Sequence, residues 1–399
     1  MSSSGLSNRV NKNTEHYIED NNSLITQKSE LEKNNNRLTT QGTGPKKKDN
    51  SLKMQEVYSK RNNKELKQRD TKWDNIKFIL ITCVVTGHMI YLFLEDSVLA
   101  KGIYLWIYSF HMPAFLFLSG MFSKHAVETK NSRRILDYLA IYLLMKTLQS
   151  VANYFVNGKV TFRFFWEAGP GWYALAMAVY IFISSILKDA DKRKLLLLAV
   201  LAGCMAGYDN HLGDHFASAR IVTFYPFFLL GLYLEPEKIK QTMKKPVRII
   251  SGIILCATFI ITVLYTERFY WLLKLFKGKY SYAQVGVVGL RGPIYRFLLY
   301  IGMLLMAYCV FAVISSKKKW YSDIGKNTLP IFIFHPAAII VLMTILQGKR
   351  WLYTFYPVHY VVAAVILAWI LVICIYGVWK GANRLRENLE GKVSKKIIE

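Results

Sequence analysis

Among the ionisable side chains within the apolar runs, four stand out: Lys77 and His88 in the first run, His111 in the second, and His335 in the ninth. Such groups are expensive in an apolar setting and mark a pathway or a site by default. An imidazole, with an ordinary pKa of about 6.5, is suited to accept a proton from a weakly acidic group at neutral pH. Lys77 and His88 are eleven residues apart. At 100° per residue that is three helical turns plus about 20°, so both project from one face, about 16 Å apart along the axis. This stripe puts a cation near one mouth and a titratable base deep inside. Taken alone, Lys77 is equally explained by snorkelling to headgroups. His111 matches His88 in depth, and Pro113 follows it closely. His335-Pro336 repeats the pattern. Proline removes a helical donor, and spanning helices tolerate this mainly beside protein or a water-filled cavity. Three histidines, two of them near prolines, predict a polar cavity.

The elements that must position these groups are apolar helices. Hydrophobic residues make up 53% of the 399 positions, and residues 1–72 are almost wholly polar. A hydrocarbon core about 30 Å thick is crossed by roughly 20 apolar residues. Ile76–Leu94, Ile103–Phe122, Ile135–Val156, Trp172–Leu187, Val247–Tyr265, Ile294–Ile314, Leu329–Leu346 and Val358–Trp379 fit this requirement. Leu195–Gly207 and Ile221–Leu234 are shorter, as tilted or protein-surrounded spans can be. The expected fold is therefore an all-α, polytopic integral membrane protein of about ten transmembrane helices. Residues 1–72 read as a disordered cytoplasmic tail, residues 73–379 as the membrane domain, and residues 380–399 as a basic cytoplasmic tail.

The net charge of +26 would suit a nucleic acid, but its distribution points elsewhere. With a cytoplasmic start and ten crossings, the inner connections carry about twice the Lys and Arg of the outer ones, the bias of cytoplasmic loops. No nucleic-acid partner is expected, and the basic side favours anionic membrane lipids. The expected location is the plasma membrane, with multiple passes and both termini cytoplasmic. All five cysteines lie in apolar runs, which is no disulfide framework, and no metal site is expected. Outer loops as long as Tyr208–Arg220 and Thr266–Pro293 tend to be functional. In the second, Trp271, Tyr282 and Arg291 are candidate substrate-binding residues, although an interfacial aromatic belt reads the same way.

The segments that carry these residues resemble the membrane-bound acyltransferase-3 family, especially its fucose 4-O-acetylase-like branch. Asp74 through Lys77, separated by ten residues from His88, matches the family's D-x-x-[RK] start and [RK]-x10-H signature. Phe110-His111-Met112-Pro113 through Ser119-Gly120 is similar to its F-H-M-P-x-F-F-F-x-S-G run. Trp172-Tyr173, Tyr225 through Gly231, and Gly325 through His335 resemble three further family segments. The resemblance implies an O-acyltransferase, expected to be an O-acetyltransferase. It would move an acyl group from a cytoplasmic coenzyme A thioester, acetyl-CoA as co-substrate, to a hydroxyl of a cell-surface glycan or lipid-linked precursor. His88 would be catalytic, assisted by His111, with His335 in the substrate-binding part. Lys77, Lys130, Arg133 and Arg134 would hold the donor's phosphates. The family often carries R-x-x-R after its second helix; here Lys130 and Arg133 are followed by Arg134, which leaves open the pair that serves. An extra extracytoplasmic domain found in some relatives has no counterpart in this sequence, so direct transfer or an envelope-biosynthesis partner is implied. The competing class is a proton-coupled transporter or flippase of an anionic or glycan-linked substrate, which would use the same cavity.

Overall fold

The computed structural model describes residues 70–160, 162–167, 169–345 and 357–398. The expected N-terminal tail lies, up to residue 69, outside the described residues. Among those described, the chain is helical, with an isolated bridge between Trp166 and His215 as its one extended pairing. Among the described residues, six helical segments, with Val98–Glu128 counted as one, are long and apolar enough to cross a membrane, and three shorter apolar helices accompany them.

Helix α1, Thr71–Ile90, starts on the side chain of Asp70, which accepts from the Lys72 N–H. Apolar residues on every side of it are buried, including Ile76, Phe78, Leu80, Val85 and Ile90. A helix buried all round belongs at the centre of a bundle. The end carrying Thr71 is called proximal here, and the opposite end distal.

The second expected span is two helices: α2, Val98–Tyr108, and α3, His111–Glu128. Continuing the helix through Pro113 would drive its ring into the carbonyl of Ser109. The chain breaks at Phe110 instead, where φ is −141°. Pro113 then falls in the first turn of α3, where a missing N–H costs nothing.

The helices α4 (Ser132–Asn157), α5 (Trp172–Ile186), α6 (Lys192–Met205), α7 (Ser218–Tyr233), α8 (Pro236–Thr242) and α9 (Lys245–Leu264) follow. On α9 only Ser251 is buried, while Ile250, Ile253, Ile260 and Leu264 are exposed. An apolar face that large suits hydrocarbon rather than water. Three short helices, α10 (Thr266–Phe269), α11 (Leu272–Phe276) and α12 (Tyr282–Val285), lead to α13, Arg291–Val313. Then come α14 (Ser322–Lys326), α15 (Leu329–Ile345) and α16 (Pro357–Ile398). The last helix does not stop at Trp379. No proline or left-handed glycine ends it there, and an Arg386–Glu390 pair at 2.7 Å supports its continuation through most of the expected basic tail.

Glycines set the closest helix contacts. A Cβ on Gly120 of α3 would overlap the carbonyl of Phe228 on α7, and one on Gly231 of α7 would overlap the carbonyl of Phe117. Two facing glycines thus bring these backbones together, the usual device of packed membrane helices. Gly325 of α14 meets the backbone of Asp74 in the same way, which docks α14 on the proximal end of α1. Each glycine sits in one of the short motifs of the sequence, so those motifs are packing joints around the central helix.

Candidate active site

A single cavity of about 970 Å³ runs along α1 from Lys77 past His88 to Tyr91. Its walls come from α1, α2, α3, α4, α5, α7, α15 and the α11–α12 loop. The volume is at the upper end of what a small-molecule site uses. The stripe expected from helical periodicity is real: Lys77, Ile81, Val84 and His88 all line this space.

Two imidazoles, those of His88 and His111, line its distal half, while His335, expected among the substrate-binding residues, is buried beside His88 and is not on the cavity wall. His88 lines the cavity and makes no hydrogen bond among the described residues, so its ring nitrogens are available to a bound molecule. His111, the first residue of α3, is held by the helix break: its Nδ1–H donates to the Ile107 carbonyl at 2.8 Å. A carbonyl only accepts, so Nδ1 carries the proton and Nε2 holds a lone pair. The His111 ring stands edge-on to Tyr108, centroids 4.5 Å apart. His335 is fully buried behind His88, their ring centroids 5.3 Å apart. Its Nδ1–H donates to the carbonyls of Phe332 (2.8 Å) and Ile331 (3.0 Å). Phe332 is the carbonyl that Pro336, four residues on, cannot serve. The His335 ring therefore replaces a backbone donor, which fixes its tautomer and leaves Nε2 as an acceptor without a partner.

The proximal end is basic. Lys77, Arg134 and Lys326 line the cavity there together with one carboxylate, Asp137. Lys77 lies 3.5 Å from Asp74 and over the Phe122 ring, and Arg134 over Tyr138. Lys130 and Arg133 are exposed and lie off the cavity wall; Lys130 has a φ of 49° in the α3–α4 turn. Of the four cations expected from sequence, the structure brings Lys77 and Arg134 together and adds Lys326. Midway, Ser119 and the Tyr173 hydroxyl are 2.6 Å apart, with Phe332 packed on the Tyr173 ring. Residues from three of the sequence motifs thus line one wall.

The distal end departs most from expectation. Trp271 is exposed and packs on Tyr295. Tyr282 is buried against Gly207 and Gly292, with its hydroxyl donated to the Cys204 carbonyl. Arg291 opens α13, exposed and away from the cavity. The loop they belong to does reach the cavity, but through Phe276, Lys277, Lys279 and Tyr280. Buried Arg296 donates to the Leu275 carbonyl and staples the loop. Gly278, with φ +64° and against Phe224, turns it inward. Arg220 completes this end, beside Trp172 and paired with Asp214. The signal available in the sequence was slight: the Lys277-Gly278-Lys279 triplet, and an arginine at the head of an apolar run.

A helical bundle with exposed apolar surfaces, a long cavity and an accessible imidazole fits a membrane enzyme or a transporter. The acyltransferase domain model matches residues 70–376, so the chain belongs to the membrane acyltransferase-3 family. No curated protein and no solved structure matches it.

Proposed function

We propose that the protein is an O-acetyltransferase that passes an acetyl group from acetyl-CoA, entering at the proximal end, to a hydroxyl of a glycan or lipid-linked glycan entering at the distal end. The observation that supports this is the single cavity with Lys77, Arg134 and Lys326 at its proximal end and His88 deep within it. The proximal face would be cytoplasmic, with ten crossings in the plasma membrane and both termini on that side. The membership in the acyltransferase family favours this reading over transport.

Coenzyme A carries its phosphates at the end remote from the thioester. Lys77, Arg134 and Lys326 would attract them, the lysines as point charges and the arginine as a fork. The thioester then extends along α1 toward His88, about 16 Å from Lys77. His88 takes the proton from the acceptor hydroxyl as its oxygen attacks the carbonyl carbon, and the C–S bond breaks. That proton leaves on the coenzyme A thiol, which balances the reaction. His335 offers only an acceptor lone pair beside His88. It would steady the imidazolium formed in this step, a role usually given to a carboxylate. His111 would orient the acceptor through its Nε2 lone pair.

The test is acetyl release from labelled acetyl-CoA by the full-length protein in nanodiscs. Lys77→Ala with Arg134→Ala should raise the KM for acetyl-CoA about tenfold or more, about 1.4 kcal/mol of lost phosphate attraction, and change kcat less. Turnover that does not depend on these cations would overturn the donor assignment, and absence of turnover would overturn the proposal.

A further inference from the structure

At the distal mouth three cations stand near one carboxylate, and only two of them pair with it. Arg220 and Lys279 both pair with Asp214, the latter at 2.8 Å. Lys277 has neither an ion pair nor a hydrogen bond from its ammonium among the described residues. Its Nζ lies over the rings of Tyr91 (5.3 Å), Tyr104 (5.2 Å) and Tyr108 (5.7 Å), and the side chain lines the cavity. Ring faces hold an ammonium, but they do not neutralise it. The fold spends several contacts to keep it there: the Arg296 staple, the left-handed Gly278 and the cage of tyrosines. Burial and the neighbouring Lys279 and Arg220 lower the Lys277 pKa to about 8, a measure of how poorly the charge is compensated. His88 is within electrostatic reach of both Lys277 and Arg220. The donor's phosphates would be occupied at the other end, so this second cationic cluster has no use in holding them.

We infer that Lys277, backed by Arg220 and Lys279, forms a binding site for an anionic group, a carboxylate or a phosphate, carried by the acceptor, and that this contact selects the hydroxyl presented to His88. This rests on the acyl-transfer reading for the identity of the acceptor, while the anion site itself is defined by its own geometry. A neutral glycan would leave the ammonium uncompensated. A uronate or a glycerol-phosphate unit would compensate it, and the tyrosine hydroxyls around it would serve as additional donors to sugar oxygens.

The experiment is amine footprinting of the full-length protein in phosphatidylcholine nanodiscs, read residue by residue by mass spectrometry. The probes are methyl glucuronide and glycerol phosphate, with methyl glucoside and glycerol as uncharged counterparts. An anion on Lys277 raises its proton affinity and shields it, so labelling should slow roughly tenfold with an anionic probe. It should be unchanged with the neutral ones, and exposed Lys274 should not respond. Protection by the glucuronide alone assigns a carboxylate, and by glycerol phosphate alone a phosphate. Equal labelling with charged and neutral probes overturns the proposal. So does full protection by phosphatidylglycerol nanodiscs without a probe, which would make the ligand a headgroup. Acetyl-CoA hydrolysis in the same preparations reports on acyl transfer separately. Its absence would fail that reading while the protection pattern still decides the anion site.

Discussion

The His335 ring supplies the hydrogen bond that Pro336 denies to Phe332, and that use constrains its chemistry. With Nδ1–H committed to two carbonyls, only Nε2 remains, and it lies behind His88 without a partner. Removing the ring leaves a buried carbonyl unsatisfied, a cost of about 1–3 kcal/mol. His335→Ala is therefore expected to melt at a lower temperature than His88→Ala, whose ring makes no such bond; equal melting temperatures would refute this account of the His-Pro pair. Lys277 makes a prediction in pH. Its folded pKa of about 8 lies below the ordinary 10.5, so between these values the unfolded chain holds a proton that the folded chain has lost. Stability from this group rises with pH across that window, and below it the full penalty of the buried charge is present. Wild type should thus gain on Lys277→Met in apparent melting temperature as the pH is raised from 8 toward 10.5. A constant difference would show that the ammonium carries no such penalty.

Helix contacts explain why some motifs were legible in the sequence as patterns but not as functions. Gly120, Gly231 and Gly325 belong to segments that resemble the family, and each one marks a backbone-to-backbone contact. Nothing in a single sequence says which glycine faces which. Gly120→Ala or Gly231→Ala forces a methyl into a carbonyl and should destabilise by about 1–3 kcal/mol or more. Gly302→Ala on α13, with open space around it, should stabilise by up to about 1 kcal/mol through helix propensity. Thermal melting in one detergent distinguishes them, and a neutral Gly120→Ala would contradict the close packing. Periodicity placed Lys77 and His88 on one face because a continuous helix carries both. It could not place the residues of the α11–α12 loop, where no regular angle relates successive side chains and distant partners decide the outcome. Tyr282 turns away onto Gly207 and Gly292, while Lys277 turns in, set by Arg296 and Gly278.

For the whole molecule, the apolar runs were legible because hydrocarbon demands them, while the orientation rests on the basic bias of the connections alone. The break between α2 and α3 was written in Pro113, though its consequence, an imidazole serving the Ile107 carbonyl, depends on the fold. If the proximal face is cytoplasmic, a reporter active only outside the membrane and fused after Glu399 should remain silent; activity there would require an odd number of crossings. On the proposed reading the cavity joins the two sides of the membrane, with His88 between the cations for the donor and the mouth for the acceptor. The most direct measurement of this claim is acetyl transfer by His88→Gln beside wild type, at matched expression and matched melting temperature. Glutamine keeps a hydrogen-bonding side chain of similar size but accepts no proton in this range. Transfer should fall by about 100-fold or more, the scale of a lost general base. Turnover close to wild type would contradict the account, leaving His88 a hydrogen-bonding residue and the proton to another group.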